Sequence, residues 1–249
     1  MLGIVGLKTQ GGGHIKGFGS QIVGTLQTEN TTIQIGDATI LEQKFLTYDF
    51  SALGKFDSTK FAGFLGENIF NDFVVQVDYD RSQLTLTLPK PFAYHGTGII
   101  LPITFNKHHV PHIDAKLEGI TGKFNIDTGA SEALTLYTPF VENNGLRAKY
   151  ASQSQTFPLY GVGGESKVQV VPNLLFQFGG IDIHLPVELF EAKSGLASNK
   201  DIAGNIGGWL LRNFDVTFDY SRKQVIFELH SDVNQSAPAQ AITKDKGPP

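Results

Sequence analysis

The 249 residues include no cysteine, which excludes disulfides, thiolate metal sites and a cysteine nucleophile and leaves the redox compartment open. No run approaches the roughly 20 consecutive apolar residues a membrane-spanning helix needs. The opening Met1-Leu-Gly-Ile-Val-Gly-Leu7 lacks the basic segment and the small-residue cleavage site of a secretory signal. Charge is scarce as well: 20 basic residues stand against 24 acidic ones, a net charge of −4 with no long run of either sign. No nucleic-acid or membrane partner is expected from such a surface. There is no Gly-x-Ser-x-Gly and no Gly-x-Gly-x-x-Gly behind a strand, so a serine-hydrolase elbow and a nucleotide loop are unsupported.

What is present is a sizeable apolar fraction, 41%, enough to bury a real core. It is distributed in short alternating or apolar runs: Thr32-Ile-Gln-Ile35, Phe73-Val-Val-Gln-Val77, Leu84-Thr-Leu-Thr-Leu88, Val168-Gln-Val-Val171 and Gln224-Val-Ile-Phe-Glu-Leu229. Gly, Asn and Asp separate them, and the pattern predicts an all-β chain with a few short helices. Thr138-Pro139 reads as an N-cap and first helical residue, with Phe140 and Val141 facing the core and Asn144-Gly145 as the stop. Ser231 to Pro249 is polar and without apolar periodicity, the composition of a disordered tail.

An internal repeat organises the chain. AGFLGENIFNDFVVQVDYDRSQLTLTL, from Ala62, aligns without a gap on AGNIGGWLLRNFDVTFDYSRKQVIFEL, from Ala203, an offset of 141 (203 − 62). Ten identities coincide, and so does a pattern: apolar residue, Gly, short helix, strand ending in Asp-Tyr, turn, strand. Gly6-Leu7 matches Gly145-Leu146, and Ile33-Gln-Ile-Gly36 matches Phe176-Gln-Phe-Gly179. The chain therefore reads as two copies of one lobe: an incomplete N-terminal lobe at 1–93, a C-terminal lobe at 94–230 and the tail at 231–249. The join falls in the Pro- and Gly-containing stretch Lys90 to Gly98.

The chemistry centres on Phe124-Asn-Ile-Asp-Thr-Gly-Ala-Ser131. Asp-Thr-Gly alone is a weak signal, but here it closes a hairpin, Ala115 to Ile126, whose second strand delivers Asp127 at its end. A glycine-rich stretch at Gly161 to Gly164 and then Ile206-Gly-Gly-Trp-Leu-Leu211 follow. This order resembles the aspartic peptidases, and among them the retropepsin-like branch, over about Pro111 to Leu229. The first copy shares everything except the Asp-Thr-Gly.

The resemblance implies an acid-protease fold of two related β-barrel-like lobes, endopeptidase cleavage of an extended polypeptide, and Asp127, Thr128 and Gly129 as the catalytic loop. The glycine stretches, Gly11, Gly12 and Gly13 in the first copy and Tyr160, Gly161, Val162, Gly163 and Gly164 in the second, would be flaps over the substrate. Phe18 and Tyr160 beside them are candidate subsite residues. The nucleophile would be water, so no metal or organic cofactor is expected. His108-His-Val-Pro-His112, with Asp114 nearby, reads as a solvated loop rather than a metal cluster.

Hydrolysis by water needs a base for the water proton and an acid for the carbonyl or leaving nitrogen, and two carboxylates sharing one proton supply both. The offsets of 139 and 141 place the counterpart of Asp127 at −12 (127 − 139) or −14 (127 − 141), before Met1. Three sources stay open: an upstream segment, which is favoured and would carry the signal of a periplasmic or secreted protein; a second chain, paired as a homodimer through the complete lobes; or none, in a silent relative that only binds peptides. Ala130 stands where pepsin-like members place a hydroxyl donor to the ionised carboxylate, which predicts a mildly acidic to near-neutral optimum.

Overall fold

The computed structural model describes residues 7–15, 22–47, 63–106, 109–161, 164–192 and 195–230. The period-two runs form strands throughout, and the helices among the described residues are single turns or little more. The architecture is mostly β, as the alternation predicts.

The first copy opens with a sheet of β1 (Thr9–Ile15), β2 (Val23–Thr28) and β5 (Leu46–Thr47), beside the hairpin of β3 (Thr31–Ile35) and β4 (Ala38–Gln43). Helix α1 (Glu67–Phe70) then leads into β6 (Val74–Asp78) and β7 (Gln83–Thr87). The second copy begins with β8 (Ile99–Pro102) and continues through β9 (Thr104–Phe105), β10 (Pro111–Leu117), β11 (Ile120–Ile126) and β12 (Leu134–Leu136). Helices α2 (Thr138–Asn143) and α3 (Leu146–Lys149) precede the long strands β13 (Gln155–Gly161), β14 (Gly164–Phe178) and β15 (Ile181–Phe190). The copy closes with β16 (Gly204–Ile206), α4 (Gly208–Leu211), β17 (Phe214–Asp219) and β18 (Gln224–Leu229).

The two copies meet in one five-stranded sheet of order β7-β6-β17-β18-β8. At its centre β6 runs antiparallel to β17, with Gln76 opposite Thr217, Val75 opposite Phe218 and Val77 opposite Val216. The sequence offset carries Gln76 onto Thr217, Val75 onto Val216 and Val77 onto Phe218. The pairing is therefore self-complementary, and a local two-fold passes through the Gln76–Thr217 pair. Cross-strand partners extend this symmetry into two apolar rows on one face. Leu84, Val77, Val216, Phe227 and Ile99 make the first, and Leu86, Val75, Phe218, Val225 and Leu101 the second.

Both copies turn from one hairpin strand to the next on the same device. Asp78 Oδ1 accepts from the Arg81 N–H at 2.8 Å and Oδ2 from Arg81 Nη1 at 2.9 Å. Asp219 repeats this with Arg222, at 3.0 Å and 2.7 Å. The backbone N–H of Arg81 holds the Asp78 carboxyl below the usual range. At Asp219 burial pushes the carboxyl up, but the hydrogen bonds from Ser221 and Arg222 and the guanidinium charge outweigh it, and the net direction is down.

The main core lies in the second copy. Phe124, Phe176, Phe178, Phe214 and Phe227 form a chain of ring contacts, with centroids 5.0 Å apart for Phe124–Phe176 and 5.2 Å for Phe178–Phe227. Burying each such side chain contributes about 1.5–3 kcal/mol, and the edge-on geometry about 0.5–1.5 kcal/mol per pair. These contacts tie β11 and β14 to the shared sheet.

Two local expectations are corrected. Thr138 does not cap α2, because the helix begins at Thr138 with Tyr137 as its N-cap. Its hydroxyl instead donates to the Phe190 carbonyl at 3.2 Å and accepts from the Ala192 N–H at 2.8 Å, which fastens the helix to the end of β15. His112 is not in a solvated loop: it lies in β10, buried, with Nε2 2.7 Å from Thr104 Oγ1. Burial, and then the charge of Lys123, lowers its imidazole from the ordinary range. His108 lies outside the described residues.

Candidate active site

The eight-stranded sheet of the second copy contains an unusual crossing. β11 ends at Ile126, the chain makes the loop through Asp127 and Gly129, and it returns as β12; between these two strands lies β16, parallel to β11 and antiparallel to β12. The loop thus straddles the strand that ends in Ile206-Gly207. The Asp127 N–H donates to the Ile206 carbonyl at 2.9 Å, the Gly207 N–H to Ala133 at 3.1 Å and the Gly208 N–H to Ala130 at 2.7 Å. A Cβ on Gly207 would collide with the Glu132 carbonyl oxygen, so glycine is what lets the two backbones lie together.

The Asp127 carboxylate is held at both oxygens. The Gly129 N–H donates to Oδ1 at 2.9 Å, and Asn205 Nδ2 donates to Oδ2 at 3.0 Å. Sequence reasoning named Gly129 and missed Asn205. A signal was there: Asn125-Ile126-Asp127 and Asn205-Ile206-Gly207 share an Asn-Ile pair, and the parallel register sets Asn125 beside Asn205 and Ile126 beside Ile206.

Asn205 belongs to a polar row that crosses an otherwise apolar sheet. Register partners run from Thr104 to His112, Asn125, Asn205, Thr135 and Glu188. Asn125 Nδ2 donates to the Tyr137 hydroxyl at 3.2 Å, and Thr135 Oγ1 donates to Glu188 Oε2 at 3.0 Å. Burial, and then the charge of Glu132, push the Glu188 carboxyl up to about 7 against the Thr135 hydrogen bond. None of these five partners of Asn205 was among the residues predicted to matter except His112, through the histidine cluster.

The first copy reaches this loop through Phe64, whose ring lies 3.9 Å from where a Cβ of Gly129 would stand. The Tyr79 phenol is pushed up by burial and then by the charge of Asp127, and its hydroxyl is buried with no hydrogen-bond partner among the described residues. Thr128 is exposed on the loop.

The flap candidates are placed differently in the two copies. In the second, Gly161 and Gly164 are the last paired residues of the β13–β14 hairpin, with Tyr160 opposite Glu165. Val162 and Gly163 lie outside the described residues, and of Tyr160 only the backbone is described. In the first copy, Gly11, Gly12 and Gly13 sit inside β1 rather than at the end of the β1–β2 hairpin, and Gly12 is opposite Leu26 across a bulge. They line a shallow concavity with Thr25 and Leu46. The turn of that hairpin, with Phe18, lies outside the described residues. Among the described residues no group of three or more His, Asp or Glu could hold a metal ion.

No protein-family model matches the chain, and no curated protein matches it. Among solved structures it is similar to the crystal structure of a retropepsin-like aspartic protease from Rickettsia conorii. The identity is 20%, with 53% of this chain and 89% of that chain covered and a TM-score of 0.39.

Proposed function

We propose that Asp127 is one of the two carboxylates of an aspartic-type endopeptidase, which hydrolyses an extended polypeptide with water activated between them. One carboxylate takes a proton from water as its oxygen bonds to the peptide carbonyl carbon. The partner protonates the carbonyl oxygen. The first carboxyl then passes the proton it took to the amide nitrogen, the partner recovers its proton from a hydroxyl of the tetrahedral species, and the C–N bond breaks to release the amine and the acid. The observation that carries the reading is the seating of the loop. The Asp127 loop is hydrogen-bonded to the Ile206-Gly207-Gly208 backbone, its carboxylate oxygens accept from the Gly129 N–H and Asn205 Nδ2, and the neighbouring copy meets the loop through Phe64.

The second carboxylate belongs on the backbone that corresponds to this seat. The offset carries Asn205-Ile206-Gly207 onto Phe64-Leu65-Gly66. Ile206 is 1% exposed beneath the Asp127 loop, whereas Leu65 is 44% exposed. Among the described residues, a Cβ on Gly66 would meet only Asn68 Oδ1, at 3.7 Å. A second Asp-loop packed there would face Asp127 across the two-fold. It would come from outside residues 1–249, either from the same polypeptide or from a second chain. The β1–β2 and β13–β14 hairpins would then cover the substrate from either side.

The test is cleavage of an unfolded polypeptide by the product of the complete reading frame, by residues 1–249 and by the Asp127→Asn form of each. Cleavage by the complete product that falls at least 10³-fold in Asp127→Asn is expected, since one member of a coupled pair is lost. Cleavage untouched by that substitution, or peptide binding with no cleavage by any form, overturns the proposal.

A further inference from the structure

The two oxygens of Asp127 are held by different parts of the molecule. The Gly129 N–H belongs to the Asp loop itself, while Asn205 sits on β16 beneath it, 4% exposed and flanked in register by Asn125 and Thr135. One donor belongs to the loop; the other belongs to the sheet. Together they set the plane of the carboxylate, which neither could do alone. Both contacts are donors, and each carboxyl oxygen accepts one of them.

The first copy has no side-chain donor at the corresponding position. The offset carries Asn205 onto Phe64, whose side chain offers no donor, while the rest of the segment keeps its apolar residue and glycine. The repeat is therefore broken at the position in contact with the carboxylate.

We infer that Asn205 is a positioning residue for Asp127, and that the Asn205–Phe64 difference makes the two sides of the catalytic pair unequal. Asp127, oriented by Asn205, is the side that takes the proton from water; the carboxyl opposite, seated over Phe64, is the side that carries the shared proton. The inference rests on the aspartic-peptidase reading for its roles, but the contact itself does not.

The contact is tested in residues 1–249 by the side-chain amide resonance of Asn205. Asp127→Ala removes the acceptor and should move one amide proton upfield. Thr135→Val, a change beside Asn205 that leaves its acceptor in place, should leave that proton near its original position. An Asn205 amide that ignores Asp127→Ala overturns the inference whether or not the protein is a peptidase.

The role is tested in the complete enzyme. Asn205→Leu should lower kcat about 10²-fold, the cost of a misplaced reacting group, with KM nearly unchanged. Asn205→Ser, which retains a hydroxyl donor, should recover part of the loss. A loss confined to KM would make Asn205 a subsite residue and overturn the assignment, as would no loss at all. If Asp127→Asn also leaves cleavage intact, it is the peptidase reading that fails, and the resonance experiment still decides the contact.

Discussion

The two copies contain the same turn in two settings. Asp78 with Arg81 and Asp219 with Arg222 make matching pairs of hydrogen bonds. Asp78 is partly exposed, however, and Asp219 is fully buried. Arg222 also donates through Nη2 to the carbonyls of Pro89 and Phe92, at 3.1 and 3.2 Å, which secures the segment between β7 and β8. The same contrast holds at the glycines: Gly207 lies under the Asp127 loop, whereas among the described residues a Cβ on Gly66 would meet only the Asn68 side chain. Sequence repetition thus preserves backbone geometry, while burial decides what each device contributes.

The sharpest way to break the comparison is to remove the two arginines. Arg222→Ala leaves a buried carboxylate without its cation and should cost about 3–5 kcal/mol, whereas Arg81→Ala at the surface should cost less than about 1 kcal/mol. Denaturant unfolding of both variants checks this, and equal losses would mean that burial is not what separates the turns. The Arg222 contribution also has a pH sign. Because the folded-state Asp219 carboxyl is held below its ordinary value, this stability is present above the unfolded value and is lost as pH falls through the folded one.

The glycines come next. Gly207→Ala forces the strand and the Asp127 loop apart and should cost about 3 kcal/mol, together with the hydrogen bonds that seat the loop. In residues 1–249, Gly66→Ala meets, among the described residues, only the distant Asn68 side chain, so its effect there should stay within about 0.5 kcal/mol. Thermal unfolding of the pair measures the difference, and a Gly66 variant as damaging as the Gly207 one would show that the first copy is packed there after all.

How much of this was legible in the sequence depends on which forces were local. Period-two alternation gave the strands, and Asn144-Gly145 ended α2 because Gly145 adopts φ 61°, which glycine accommodates without strain. The repeat related β6 to β17, but that the two strands pair in one sheet, with Gln76 opposite Thr217, came only from the fold. The polar row was not legible, since Asn125, Asn205, Thr135 and Glu188 come from four strands and share a line only through register. Thr138 was misjudged for the same reason. A hydroxyl before a proline looks like a cap locally, and only the tertiary position of β15 shows that it bridges two elements instead.

Glu188 sharpens the comparison between buried carboxylates most finely, because it is the opposite case to Asp219. Asp219 is buried with a guanidinium; Glu188 is largely buried with a single hydroxyl donor and with Glu132 nearby. Its folded-state value of about 7 lies above the ordinary 4.5, so the folded protein binds this proton more tightly than the unfolded chain does. Between those two values stability therefore falls as pH rises; the penalty is absent below about 4.5 and complete above about 7. Glu188→Gln keeps the shape and an acceptor for Thr135 but removes the charge. It should raise stability by about 1–2 kcal/mol at pH 8 and change little at pH 4, after discounting for the partial exposure of the group. Unfolding curves of the two proteins at both pH values test this, and a stability difference that does not narrow in acid would mean that Glu188 is ionised without cost in the fold.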